Sequence, residues 1–167
     1  LKLTTPCEVL IEGVDINTYT NDVATNSTLL ENVKSKSNFL FVGHWLQGEL
    51  GSDRKDVASM IITFLNTFKN YEPNTQPGLI LKTSSAGFSI PETNEIKKKI
   101  RQCKKIATDD GFTGKLPDIY LITGHLTDAE MNELYNDPKV TAMVSFTKGE
   151  GYGRPLAEFS LTGKPII

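Results

Sequence analysis

Two glutamates with seven residues between them, Glu150 and Glu158, flank a run holding Gly149, Gly151 and Gly153. Ionised carboxylates only accept hydrogen bonds, so such a pair can take the hydroxyls of a polyol. Glycine carries no Cβ, so the amides of this run can come close to a ligand. Pro155 suits the first turn of a helix and Gly163 its C-terminal stop. A helix that starts directly after the glycines offers free N–H groups and a partial positive charge to an anion. Each feature is weak alone, because chance often produces this spacing and either carboxylate can simply cap the helix. A second candidate is the adjacent pair Arg54-Lys55 at the N-terminus of another helix, which reads as a phosphate site or as a solvated surface pair. The two histidines, His44 and His125, are far apart in sequence and no Asp-x-Asp motif occurs, so no metal site is expected. The two cysteines, Cys7 and Cys103, read as reduced thiols, with Cys103 on the inner face of a helix.

These residues need a scaffold that brings loops together, and hydrophobic patterning supplies one. Short apolar runs at 38–43, 78–82, 118–123 and 140–145 read as buried strands, and 164–167 as the start of a fifth. Between them, helical spacing places Val57, Met60, Ile61, Phe64, Leu65 and Phe68 on one stripe of a helix over 54–69, with Asp53 as its N-cap. Residues 92–108 repeat the pattern with Ile96, Ile100, Cys103 and Ile106. Thr127 and Glu130 form a capping box ahead of Met131, Leu134 and Tyr135. Residues 7–11 are apolar and β-prone, and 16–38 form a connecting segment with a short helical piece near 27–33. Residues 44–53, with Gly48 and Gly51, read as a loop. Alternating strands and helices predict an α/β fold: a Rossmann-like parallel sheet with helices on both faces. Ligands of such sheets bind beyond the C-terminal ends of the strands, where all the candidate residues fall.

Taken together, the C-terminal motifs resemble the donor-site signature of retaining glycosyltransferases of the GT-B architecture, family four. The match consists of Glu150-Gly-Tyr-Gly153, then Pro155, Glu158 and Gly163-Lys-Pro-Ile166, after a strand ending in Ser145. Val9 to Asp15 is similar to the family's "V-I-P-N-G-V-D" stretch, with Glu12 for Asn and Ile11 for Pro. Phe39 to Gly43 resembles the first strand of the C-terminal domain, and Arg54-Lys55-Asp56 the family's "R-K-N", with Asp56 for Asn. Tyr120 to Glu130 resembles the strand and helix start beside the nucleotide base. The resemblance implies that residues 38–167 are a nucleotide-sugar donor-binding domain and 1–37 a lead-in from an N-terminal acceptor domain. It implies that Arg54 and Lys55 neutralise the donor diphosphate, and that Glu150 faces the transferred sugar. Glu158 would hold the ribose, while Gly151, Tyr152 and Gly153 bring amides to sugar and phosphates, Tyr152 with its ring packed. Gly43 would line the site, and His125 and Leu126 would lie near the base. The donor would be a nucleoside-diphosphate sugar such as a UDP- or GDP-sugar, with no other cofactor. The acceptor would be a glycan or a lipid-linked hydroxyl.

Composition sets the outer bounds. The chain has 167 residues, 38% hydrophobic and 23% charged, an ordinary globular mix able to bury a core. A net charge of −2 gives no basic footprint for nucleic acid. No apolar run reaches the roughly 20 residues of a membrane helix. A cytoplasmic protein is expected, with peripheral membrane contact where the acceptor is lipid-linked. The basic run from Lys97 to Lys105 reads as a solvated helix face. Trp45 reads as packed beneath its loop, and Lys148 is left without a role. Because the chain opens at Leu1 and closes on an apolar segment, a fragment is expected, one that binds donor weakly and does not turn over alone. Three alternatives stay open: a nucleotide-sugar epimerase, a sugar phosphorylase, which needs pyridoxal phosphate on a lysine, and a non-catalytic α/β module. A receiver-like module would need an acidic cluster after its first strands, where this chain has His44 and Trp45.

Overall fold

A computed structural model describes residues 5–22, 28–46 and 49–167. The elements run β1 (Asn38–His44), α1 (Val57–Phe68), β2 (Gly78–Ser84), α2 (Ile90–Thr108), β3 (Ile119–Ile122), α3 (Asp128–Asn136), β4 (Val140–Met143) and α4 (Arg154–Ser160). The strands form one parallel sheet in the order β3-β2-β1-β4. The predicted fifth strand is present as a single parallel bridge, Met143 to Ile166.

Side chains of a strand point alternately to the two faces, and the sequence exploits this. Phe41, Leu79 and Leu81 pack with α1 and α2 on one side, around Ile61, Leu65 and Cys103. Leu40 and Ile80 pack on the other with Leu134, Tyr135 and Phe159 from α3 and α4. The second face also takes Tyr19, Leu30 and Val33 from the segment before the sheet. Helices therefore cover both faces, as the patterning predicts.

Several expectations shift locally. Helix α1 begins at Val57 rather than near Arg54 because Asp56 adopts a left-handed conformation (φ 48°) that no helix can include. The N-cap is therefore Asp56, not Asp53 as expected, although the Asp53 carboxylate still accepts from the Val57 amide at 3.3 Å. Helix α2 starts two residues earlier than expected, at the Ser89–Glu92 capping box, and buries Ala107 while Ile106 faces solvent. Residues 28–33 are turns rather than a helix. The Lys139 ammonium takes the carbonyls of Leu30 and Val33 that a longer helix would have used. Val9, Leu10 and Ile11 are exposed and lie in no strand. Ser27, expected to open the helical piece, and Gly48, expected in the loop after β1, lie outside the described residues.

Two side chains expected at the surface or left unassigned are structural. Lys99 is buried: its ammonium lies 5.3 Å from the Trp45 ring centroid and donates to the Leu46 carbonyl at 2.8 Å. The solvated face of α2 thus excludes Lys99. Trp45 is fully buried, as expected. Lys148 ties the loop after β4 to the loop after β1: its amide donates to the Arg54 carbonyl at 2.9 Å and its ammonium to the Gly51 carbonyl at 2.6 Å.

Candidate functional site

Strands β1 and β4 are hydrogen-bonded neighbours, so the loops leaving their C-terminal ends share one edge. That adjacency brings the two cations and the first glutamate together across some ninety-five residues of sequence. Arg54 donates to Glu150 Oε2 at 2.9 Å and also to the Gly149 carbonyl, and Lys55 pairs with Glu150 Oε1. Arg54 and Lys55 lie in the turn before α1 rather than in its first helical turn. Their charge reaches the site through their side chains, without help from an open helix start, because Asp53 occupies that start. Burial alone would raise the Glu150 carboxyl, but the bonds from Lys55 and Arg54 prevail and hold it below the usual carboxylate range.

A cleft of about 350 Å³ opens beside this triad over the ends of β1 and β2. Gly43, Arg54, Lys55, Lys82, Thr83 and Phe88 are among its walls. Gly43 matters sterically: a Cβ there would sit 3.1 Å from the Phe41 ring and 3.5 Å from the Lys55 side chain. The hydroxyl of Thr83 is buried with no protein partner among the described residues, a group a ligand can satisfy. Lys82, which patterning assigned only to a strand, sends its ammonium to the Gly124 carbonyl at 2.7 Å and over the Phe88 ring. Burial pushes its pKa down. His44 pairs through Nδ1 with the Ser84 hydroxyl at 2.9 Å.

Glu158 stands apart from the triad. It is buried in α4, accepting from the Tyr135 hydroxyl at 3.1 Å and from Arg154 Nε at 2.5 Å. Arg154 also reaches Asp128 at 3.4 Å, and the Tyr19 hydroxyl donates to the same Asp128 oxygen at 3.1 Å. Tyr19, Asp128, Arg154 and Glu158 line a second cleft of about 310 Å³ together with Gly13, Val14 and Asp15. Burial, then the Glu158 charge, pushes the Tyr19 hydroxyl up to about 12 and that of Tyr135 further in the same direction. Glycine at 153 is required by the backbone, since φ is +77° at this N-cap of α4. Tyr152 is exposed at 39%, so the expected packing of its ring is absent. His125 is exposed at the corner after β3, with Leu126 partly buried beside it and Gly151 in open surroundings. The structure thus joins Arg54, Lys55 and Gly43 at one cleft, with Glu150 bonded to both cations beside it, and puts Glu158 on another.

Arg154, four residues before Glu158 on the same helix, was open to discovery from spacing alone. Tyr19, Tyr135 and Asp128 were not, because only folding brings them to Glu158. No group of three or more acidic, histidine or cysteine side chains able to hold a metal occurs among the described residues.

No family model and no curated protein matches the chain. Among solved structures, it resembles the C-terminal domain of a Glycosyl Transferase Group 1 Family Protein (LpcC) from Francisella tularensis, with a TM-score of 0.63. The superposition covers 92% of this chain and 69% of that one, at 17% identity. The fold is that of a GT-B C-terminal domain. Likeness at this identity concerns the fold; the function rests on the residues themselves. No described helix is long and apolar enough to cross a membrane.

Proposed function

We propose that this chain is the donor-binding half of a glycosyltransferase that moves a sugar from a nucleoside diphosphate to an acceptor hydroxyl with retention. The observation that carries the reading is the convergence of Arg54, Lys55 and Glu150 at the C-terminal edge of the sheet, beside an open cleft. A diphosphate needs fixed cations, and a sugar whose anomeric carbon gains positive charge needs a carboxylate; this edge supplies both. Arg54 and Lys55 take the diphosphate as it departs, and Glu150 then faces the sugar. The exposed Arg54–Glu150 pair is worth about 0–1 kcal/mol, whereas a charge-assisted bond to a phosphate contributes about 1.5–3 kcal/mol. A diphosphate, with more charge than one carboxylate, therefore competes with Glu150 for Arg54.

Glu158 holds the ribose hydroxyls, and the amides of Gly151, Tyr152 and Gly153 approach the sugar and phosphates. Gly43 keeps the floor of the cleft low, and the His125–Leu126 corner borders the base. The protein acts by positioning and by electrostatic support of the leaving group. UDP- and GDP-sugars are the donors to try first, and a glycan or lipid-linked acceptor is presented by an N-terminal domain that residues 1–37 lead in from. A cytoplasmic setting, peripheral to a membrane when the acceptor is lipid-linked, suits such a donor.

The test is the thermal stability of the chain with millimolar UDP, GDP, ADP and their sugar conjugates. A ligand at 100 times its Kd adds about 2.7 kcal/mol, an upward shift of a few degrees for a domain of this size. A shift with one nucleotide that is lost in Glu158→Ala supports the reading and names the base. No shift with any of them counts against it.

A further inference from the structure

Glu158 is an unusual acid to leave to one helix. It is 5% exposed, and both of its oxygens are already engaged: Oε1 by Arg154 Nε at 2.5 Å and Oε2 by the Tyr135 hydroxyl at 3.1 Å. A carboxylate has about four acceptor directions, so two remain free, one for each hydroxyl of a vicinal diol. The two bonds also fix which way those free directions point. Arg154 is itself an exposed side chain, at 66%, and would swing freely if Glu158 were its only anchor. Asp128, at the start of α3, supplies a second anchor at 3.4 Å. The Tyr19 hydroxyl bonds the same Asp128 oxygen from a segment outside the sheet. The Tyr19 ring packs 6.0 Å from that of Tyr135, which meets Phe159 edge-on at 5.6 Å. Further bonds hold the segment to α3: the Thr20 amide donates to Asn132 at 3.3 Å, and Asn136 donates to the Thr20 carbonyl at 2.8 Å.

We propose that Arg154 and Tyr135 are positioning residues that aim the Glu158 carboxylate at a ribose diol, and that Tyr19, acting through Asp128, completes the frame from the lead-in segment. This rests on the donor-site reading above. Its consequence is specific: the frame governs how well the site tells a ribonucleotide from a 2′-deoxyribonucleotide, and leaves the hold on the diphosphate at Arg54 and Lys55 unchanged.

The experiment measures by calorimetry the Kd of UDP, GDP and ADP, and of their 2′-deoxy counterparts, for the full chain and for Arg154→Gln, Arg154→Lys and Tyr19→Phe. Melting temperatures of each variant report folding separately. For the nucleotide that binds, the unaltered chain is expected to prefer the ribose form by about tenfold, the size of one hydrogen bond to a charged group. Arg154→Gln should erase that preference, and Arg154→Lys should restore part of it. Tyr19→Phe, which removes only a hydroxyl, should reduce it about two- to threefold. A merely structural role for Arg154 would weaken both forms equally, and an unchanged ratio in Arg154→Gln and Tyr19→Phe overturns the proposal. If the unaltered chain binds a nucleotide without preferring ribose, the aim of Glu158 is wrong while the donor-site reading stands. If it binds no nucleotide, that reading fails and this inference with it.

Discussion

On the donor-site reading proposed above, Glu150 would both oppose and serve the same ligand. It neutralises Arg54 and Lys55, the groups that would take the proposed diphosphate. Replacing Glu150 with Gln should therefore tighten nucleoside-diphosphate binding about two- to fivefold, the scale of a partly exposed ion pair, while abolishing any sugar transfer. Calorimetry with the nucleotide lacking its sugar would show it; weaker binding would mean that Glu150 braces the cations instead. Lys55→Ala should weaken the same binding about tenfold or more. Glu150 is held below its ordinary value of 4.5, so its ion pairs stabilise the folded loops fully above that pH. They are lost as the pH falls through the lowered folded value. The meeting of Arg54, Lys55 and Glu150 could be read ahead of the structure because each follows a strand of a parallel sheet. The surroundings of Glu158 could not, since Tyr19 and Asp128 lie 109 residues apart and nothing local in either signals the other.

The elements owe their boundaries to caps and turns, and here patterning was an uneven guide. The capping box at Thr127–Glu130 is present as expected, and a second at Ser89–Glu92 moved the start of α2. Thr127→Ala and Ser89→Ala should each cost about 1 kcal/mol in denaturant unfolding. Bonds from the Ser89 and Thr127 caps lower the carboxyls of Glu92 and Glu130 below 4.5. Both boxes are then intact above that pH and fail as the pH drops through the lowered folded values, so the penalties of the two alanine variants should shrink in acid. The start of α1 was misplaced for a different reason: the left-handed Asp56 is a conformation that residue type alone does not announce. Gly153, also left-handed, is a case where the residue type did announce it. Gly153→Ala should destabilise the protein by about 1–2 kcal/mol, measurable in the same unfolding curves.

For the molecule as a whole, the two-faced core was readable because strands alternate with helices and period-two alternation assigns Leu40 and Phe41, or Ile80 and Leu81, to opposite sides, whereas the strand order β3-β2-β1-β4 was not, since alternation fixes faces and not neighbours. The role of the segment before the sheet was not, since its contacts come through scattered anchors such as Tyr19, Leu30 and Val33. The two cysteines give a global readout of this packing. Cys103 is fully buried, and burial pushes its thiol up to about 11, whereas Cys7 is exposed. At pH 8 a thiol reagent should titrate one cysteine in the native chain and the second only as the whole domain unfolds. Rapid labelling of both would mean that the α1–α2 face opens on its own.

The stitch between the loops after β1 and β4 bears on how fast a ligand comes and goes. Lys148 and Thr147 bond the backbone around Gly51 and Arg54, so the loop after β4 is stitched to the stretch just before α1. On the opposite bank Phe88 stands half-exposed beyond the end of β2. If that bank is the one that yields to a ligand, Phe88→Ala should change association and dissociation rates together in stopped-flow binding and leave their ratio nearly constant; unchanged rates would place the entry elsewhere.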